Sequence, residues 1–411
     1  MKTVDPARHG FDAERLDRID RFIADRYVAP GRFRGTQLLV SRDGAPVHFS
    51  TRGVMGEDGR PMADDALFRI ASMTKPVTSV AFMQLVEEGR VALDDPVATV
   101  IPEWKDLAVR AGGGGGAPFV TRPPARPMLM VDLLRHTSGL TYSFQYRGNV
   151  DAAYRATKLE DWYGPHDLDA VVRLLADIPL EFSPGDEWNY SVSTDILGLV
   201  IQRLTDTPLD AVFRDRILGP LGMDDTGFVV PDAKIDRLTD CYAMAPGKGM
   251  LLYDAAESSA WRRPPTQLSG GGGLVSSAAD YHRFCRMLLA KGTLDGARIL
   301  APKTVELMTI NHLPGGRDIA SMSKSLFSEA TNAGAGFGLG FAVTTDLAAV
   351  MLPGSVGDFY WGGMFSTAFF VDPVERIIMI FMAQLSPSNT WPIRRQIKTM
   401  LYAALTETRR G

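Results

Sequence analysis

The chain has 411 residues, 45% of them hydrophobic and 22% charged, and 44 Lys and Arg against 48 Asp and Glu leave a formal charge of −4. That length has room for a substantial core and more than one lobe, and the absence of a clustered basic face argues against a nucleic-acid partner. No run of about 18 apolar residues predicts a membrane span, and Met1-Lys-Thr-Val-Asp-Pro-Ala-Arg lacks the apolar core of a signal peptide, so no membrane association and a cytoplasmic location are expected.

In chain order, Phe11 to Tyr27 predicts an amphipathic helix with Leu16, Ile19, Phe22 and Ile23 on one side. Two short β-patterned runs then flank Asp43-Gly44, a two-residue turn signature, and predict a hairpin that begins a sheet; His48 falls on its second strand and reads as structural. Phe68-Arg-Ile-Ala-Ser-Met-Thr-Lys-Pro76 follows, with Ser72 three residues before Lys75. The apolar run Val77 to Val86 covers nearly a whole helical circumference, Pro76 is tolerable in the first turn, and Gly89 supplies a C-cap. A helix this apolar is buried, and residues three apart share a face, so hydroxyl and amine can meet where the helix dipole favours an anion. Taken alone, the pattern describes an N-capping serine and a solvated lysine more often than a catalytic pair.

Five consecutive glycines, Gly112 to Gly116, predict a flexible surface loop or insertion, with nothing that suggests phosphate binding. Met130 to Leu140 reads as a short helix stopped by Gly139, with His136 in a structural role at its end. Thr141 to Pro184 is helical in pattern, and its aromatic residues Tyr142, Tyr146, Tyr154, Trp162 and Tyr163 could equally pack or line a cleft. Tyr190 lies on a loop entering an apolar helix, for which Ser191 or Ser193 is the expected N-cap. Ser269-Gly-Gly-Gly-Gly-Leu is expected to resume the sheet before a helix carrying Tyr281 and Phe284. Gly334 to Phe341 suggests a strand whose alternate glycines let another backbone or a ligand come close. Trp361-Gly-Gly-Met364 precedes a hairpin of residues 366–372 and 376–384, and Pro392 opens a final amphipathic helix. Cys241 and Cys285 lack metal-ligand spacing and read as buried free thiols; no metal or cofactor is expected.

Together, Phe68 to Pro76, the run Leu85 to Pro96, Leu133-Leu-Arg-His-Thr-Ser-Gly-Leu140, Trp188-Asn-Tyr-Ser191 and Ser269-Gly-Gly-Gly-Gly-Leu274 make the chain resemble a known family. It is the serine β-lactamase and penicillin-binding-protein superfamily, in its class C-like branch and nearest the family VIII carboxylesterases. The similarity spans about Phe68 to Gln384. It implies an α/β (α+β) fold, a mainly antiparallel sheet flanked by helices, with residues 1–90 and 191–411 forming the sheet domain and 91–190 a mainly helical lobe. By matching position it implies Ser72 as nucleophile, Lys75 as its partner and Tyr190 as the third catalytic member. It also places the backbone N–H groups of Ser72 and Met364 in the oxyanion hole, and Trp361, Gly362 and Gly363 at the substrate.

Lysine and tyrosine ionise poorly at neutral pH in water, but side by side they can share a proton; the sequence leaves open which of them accepts it. There are two departures from the lactamase pattern. Tyr190-Ser-Val192 lacks the asparagine of Tyr-x-Asn, and Trp361 stands where a lysine or histidine would face a substrate carboxylate. No Gly-x-Ser-x-Gly elbow is present, which argues against an α/β-hydrolase. The resemblance therefore implies hydrolysis of small-molecule esters with short acyl chains through an acyl-serine. The alternatives are acyl transfer from the same intermediate, β-lactamase or D-aminopeptidase activity, and a non-catalytic binding or scaffold protein, which an intact Ser72, Lys75 and Tyr190 oppose. Oligomeric state is not legible.

Overall fold

The computed structural model describes residues 1–323 and 332–409. Its seven-stranded sheet starts from the Asp43-Gly44 turn, where both residues take positive φ, as the hairpin of β1 (Gly35–Arg42) and β2 (Ala45–Gly53) requires. Five strands from the far end of the chain complete it: β3 (Ala335–Phe337), β4 (Ala342–Thr344), β5 (Phe359–Gly362), β6 (Ala368–Asp372) and β7 (Ile377–Met382). The order is β3-β4-β5-β6-β7-β1-β2, antiparallel throughout. The two chain ends therefore meet along β1 and β7, with Leu39 opposite Ile380.

Both sheet faces are covered, which is why β7 reads as a continuous apolar run instead of alternating. The helices that bear on the site and the sheet are α1 (Ala13–Ile23), α2 (Thr74–Glu87), α3 (Ser193–Thr205), α4 (Ala278–Leu289) and α5 (Ile393–Ala403). Leu38, Val40, Ile377, Met379 and Phe381 pack with α1 and α5; Leu39, Phe369, Ile378, Ile380 and Met382 pack in the core that contains α2 and α4. The period of two in side-chain direction thus divides one strand between two cores. α1 is capped by Asp12, which accepts from the Arg15 N–H at 3.1 Å. α2 is buried nearly all round and ends at Gly89, whose φ of +69° is the expected left-handed stop.

Several expectations are corrected. The glycine run is no loose loop: Val109–Gly114 and Ala117–Arg122 pair as a separate two-stranded hairpin, and the Asn149 amide donates to the Gly113 carbonyl at 2.7 Å. The helix before Gly139 stops earlier, at Leu134, because His136 itself adopts a positive φ of 58° and turns the chain. Neither serine caps α3. Val192 holds that position without a side-chain bond, while Ser191 and Ser193 hydrogen-bond each other at 2.7 Å. Val275–Ser277 pairs with Leu67–Arg69 in a small sheet of its own and does not rejoin the large one. In β3 and the turn after it, the glycines admit the protein's own atoms: a Cβ on Gly336 would lie 2.3 Å from Asn311, and one on Gly338 would lie 2.2 Å from the Met308 carbonyl.

Candidate active site

Ser72 sits in a 3-10 turn, Ala71–Met73, that leads directly into α2. The turn is held from several sides. Ile70 N–H donates to the Leu274 carbonyl at 3.0 Å, Leu274 N–H donates to Thr74 Oγ1 at 3.2 Å, and Tyr281 donates to the Met73 carbonyl at 2.9 Å. Ala71 takes φ +44°, an unfavourable backbone state for a residue with a Cβ, directly before the serine. Behind it, the fully buried Arg69 is paired with Asp254 and donates to the Thr239 carbonyl at 2.6 Å.

Lys75 is buried, and its Nζ donates to Ser72 Oγ at 3.1 Å and to the Gly271 carbonyl at 2.7 Å. The same nitrogen lies 4.6 Å from the centroid of the Tyr190 ring and 5.5 Å from that of Tyr142. The Tyr190 hydroxyl accepts from Trp361 Nε1 at 3.2 Å. Tyr190 is thus held between Lys75 and Trp361, its ring further packed by His136 at 4.9 Å and Trp188 at 6.1 Å.

Trp361 and Gly362 end β5, beside the Ser72 turn. Gly363 N–H donates to the Thr367 carbonyl at 2.9 Å, and a Cβ on Gly363 would sit 2.4 Å from the Ile70 carbonyl, so only glycine lets this segment back onto the Ser72 turn. Arg394 fixes it from α5, donating to the Gly363 carbonyl at 2.9 Å and the Thr367 carbonyl at 3.0 Å. Met364 follows, its side chain 44% exposed at the cleft mouth. The sequence-derived residues Ser72, Tyr190, Trp361, Gly362, Gly363 and Met364 all line one cavity of roughly 1030 Å3, with Lys75 immediately behind the serine.

The cleft also contains groups that the sequence left undecided or silent. Tyr142, Tyr154, Trp162 and Tyr163 line it, whereas Tyr146 is 75% exposed and stands outside it. Trp261, Tyr253 and Phe365 add aromatic wall that no local pattern announced. Burial, and then the charge of Lys75, hold the His136 imidazole well below the ordinary range, and it contacts Ser191 Oγ at 3.3 Å, in keeping with a structural role. Burial and the nearby Asp195 push the Tyr142 phenol far up, and burial raises Glu160 to about 7. Asp195 is itself raised by burial, against the opposing effects of Lys75 and of hydrogen bonds from Ser269 and Gly271.

Among the described residues, one group has metal-ligand spacing, Asp17, Asp20 and His48. There Asp20 is already engaged by His48 at 3.0 Å, Ser50 at 2.5 Å and Arg52 at 2.9 Å, in keeping with a structural His48. Cys241 and Cys285 are both buried and free. No helix among the described residues is long and apolar enough to cross a membrane.

Residues 20–399 match the model of the family described as Beta-lactamase. The chain is 33% identical to Esterase EstB of Burkholderia gladioli, with 98% of this chain and 99% of that protein covered. It is 40% identical to Protein Rv1367c of Mycobacterium tuberculosis (strain ATCC 25618 / H37Rv) over 80% of each chain. Among solved structures it is similar to EstCE1, described as a hydrolase with promiscuous acyltransferase activity, with TM-score 0.76, 26% identity and coverage of 95% of this chain and 99% of that one.

Proposed function

The chain belongs to the Beta-lactamase family, and from that premise we propose that it is a serine carboxylesterase acting through an acyl-Ser72 intermediate. The observation that carries this reading is the 3.1 Å contact between Lys75 Nζ and Ser72 Oγ at the floor of the cleft. A serine hydroxyl attacks an ester only as its proton is removed, and a lysine within hydrogen-bond reach, beside a tyrosine, is a means of removing it. Ser72 Oγ adds to the ester carbonyl while its proton passes to the Lys75–Tyr190 pair. The N–H groups of Ser72 and Met364 stabilise the oxyanion, each contributing about 3 kcal/mol. The pair then returns the proton to the leaving alkoxide, and the alcohol departs. Water attacks the acyl-serine and gives a proton to the pair; as the acyl C–O bond breaks, the pair returns that proton to Ser72 Oγ, and the acid leaves.

Substrate choice follows from the walls. Tyr142, Trp162, Tyr190 and Trp361 line the cavity that Ser72 opens into, and these aromatic walls favour a short, apolar acyl chain. Trp361 offers no charge to a substrate carboxylate, and the amide of Asn189, just before Tyr190, is spent on the Leu140 carbonyl at 2.8 Å. Both features disfavour β-lactams. The likeness to the named esterases supports the same reading. The division into a sheet domain of residues 1–90 and 191–411 and a helical lobe of 91–190, with the site in the cleft between them, belongs to this proposal, as does a cytoplasmic location.

Acyl transfer is the second reading. A cavity of roughly 1030 Å3 has space for an acceptor alcohol beside an acylated serine, and EstCE1 is described as having that promiscuous activity. The test is turnover of p-nitrophenyl butyrate and a chromogenic cephalosporin by wild type and Ser72→Ala, with and without an added primary alcohol. Ester cleavage lost in the variant, with little cephalosporin opening, supports the esterase. Faster p-nitrophenol release with a new ester in the alcohol samples supports transfer. Rapid cephalosporin opening overturns the exclusion argued from Trp361.

A further inference from the structure

Asp195 lies in the first turn of α3, five residues beyond Tyr190, and is buried. Its Oδ1 accepts from the Gly271 N–H at 3.1 Å and from the Ser269 hydroxyl, and its charge acts on the Tyr142 phenol. Gly271 is therefore gripped on both sides: its N–H by Asp195, its carbonyl by Lys75 Nζ at 2.7 Å. A Cβ on Gly271 would fall 2.4 Å from Asp195 Oδ2, so carboxylate and strap are in close contact. The charged and titratable groups facing Asp195 are Lys75 from α2, Tyr142 from the segment after His136, and Glu160 from the helical lobe. Lys75 is the only cation among them, and it is the one beside the nucleophile.

A buried carboxylate that merely capped α3 would need no link to the opposite strap. Here the link ends on the proton-accepting pair. We propose that Asp195 is a positioning residue, an ionised carboxylate that holds Gly271 for Lys75 and whose charge sets the pH at which Ser72 becomes reactive. This rests on the acyl-serine reading given above. An anion near a proton-binding pair makes its proton harder to lose, whichever of Lys75 or Tyr190 accepts it. Removing the charge therefore shifts the acid limb of activity in one direction under either assignment.

Asp195→Asn is the fitting probe. Its Oδ1 can still accept from Gly271 and Ser269, so the charge is lost while the shape stays. In pH profiles of kcat/KM for p-nitrophenyl butyrate, the acid limb of the variant moves to lower pH by about one to two units, and the plateau falls several-fold. A plateau that falls with an unmoved limb overturns the proposal, because it reduces Asp195 to a strut for the glycine strap. Should the variant fail to fold, infrared difference spectra of the wild type labelled with 13C-aspartate decide instead. An ionised carboxylate band in the desolvated range, lost on Asp195→Glu exchange, supports the proposal; a protonated carboxyl band at neutral pH overturns it. Absence of wild-type ester turnover overturns the acyl-serine reading and this inference together, whereas turnover with an unmoved limb removes only the inference.

Discussion

The indole N–H of Trp361 donates to the hydroxyl of Tyr190 across 3.2 Å, joining the end of β5 to the loop that enters α3 over 171 residues of sequence. The bond aims the phenol and occupies one of its lone pairs. Trp361→Phe keeps the ring packing against Tyr190 and Phe337 but deletes the donor. A net hydrogen bond of about 1 kcal/mol corresponds to a fall of roughly five-fold in kcat. Steady-state kinetics check this: the expected change lies in kcat, with KM for p-nitrophenyl butyrate nearly unchanged.

Tyr190→Phe tests the proton path itself. In the proposed mechanism the phenol exchanges a proton with the leaving oxygen, and losing a general acid–base group costs about 10²- to 10⁴-fold. Kinetics with an aryl and an alkyl ester separate its two uses: the alkyl ester, whose alkoxide needs protonation, is expected to suffer more. Equal and near-complete activity on both esters would mean that Lys75 alone manages the proton.

Gly271→Ala places a methyl group 2.4 Å from Asp195 Oδ2, well inside contact distance. Relief requires the Asp195 carboxylate to leave the Ser269 hydroxyl and the Gly271 N–H, or the strap to shift the carbonyl that meets Lys75. The variant is expected to lose about 10²-fold in kcat/KM and several degrees in Tm, readable by kinetics and differential scanning fluorimetry.

His282 gives a pH prediction away from the chemistry. Burial, then repulsion from Arg286 and Arg283, lower its imidazole from the ordinary 6.5 to about 3, and Nε2 meets Ser41 Oγ at 2.8 Å. The folded state keeps His282 neutral while the unfolded chain protonates it. Its stabilising contribution is thus fully present above about pH 6.5 and is lost progressively as pH falls towards 3. Thermal melts at pH 7 and pH 4.5 are expected to show a smaller acid-induced drop in Tm for His282→Gln than for wild type; an equal drop would contradict the assignment.

What the sequence made legible was local. Asp43-Gly44 encodes its turn in two residues, Ser72 and Lys75 meet through a helical spacing of three, and the buried run of α2 announces its own burial. What it concealed depends on distant partners. Lys75 meets the Gly271 carbonyl across 196 residues, and Asp195 meets the Gly271 N–H across 76, so Asp195 in isolation reads as an ordinary first-turn acid complementing a helix dipole. The five glycines carry backbone freedom in the sequence, but the pairing of Val109–Gly114 with Ala117–Arg122 uses it, and positive φ at Gly113 to Gly116 forms the turn. The strand that follows the glycine turn at 270–273 pairs with Leu67–Arg69, distant in sequence, and no neighbouring residue reveals that partner or the close approaches of Thr194, Asp195, Trp162 and Phe228 to the glycines.

The central claim is that Ser72 becomes acylated. Rapid mixing of the protein with p-nitrophenyl butyrate, acid quench within milliseconds, and intact-mass and peptide mass spectrometry test it directly. The account predicts a butyryl adduct confined to the peptide containing Ser72 and absent from Ser72→Ala. Ester turnover without any adduct on that peptide, or undiminished turnover by Ser72→Ala, would contradict it.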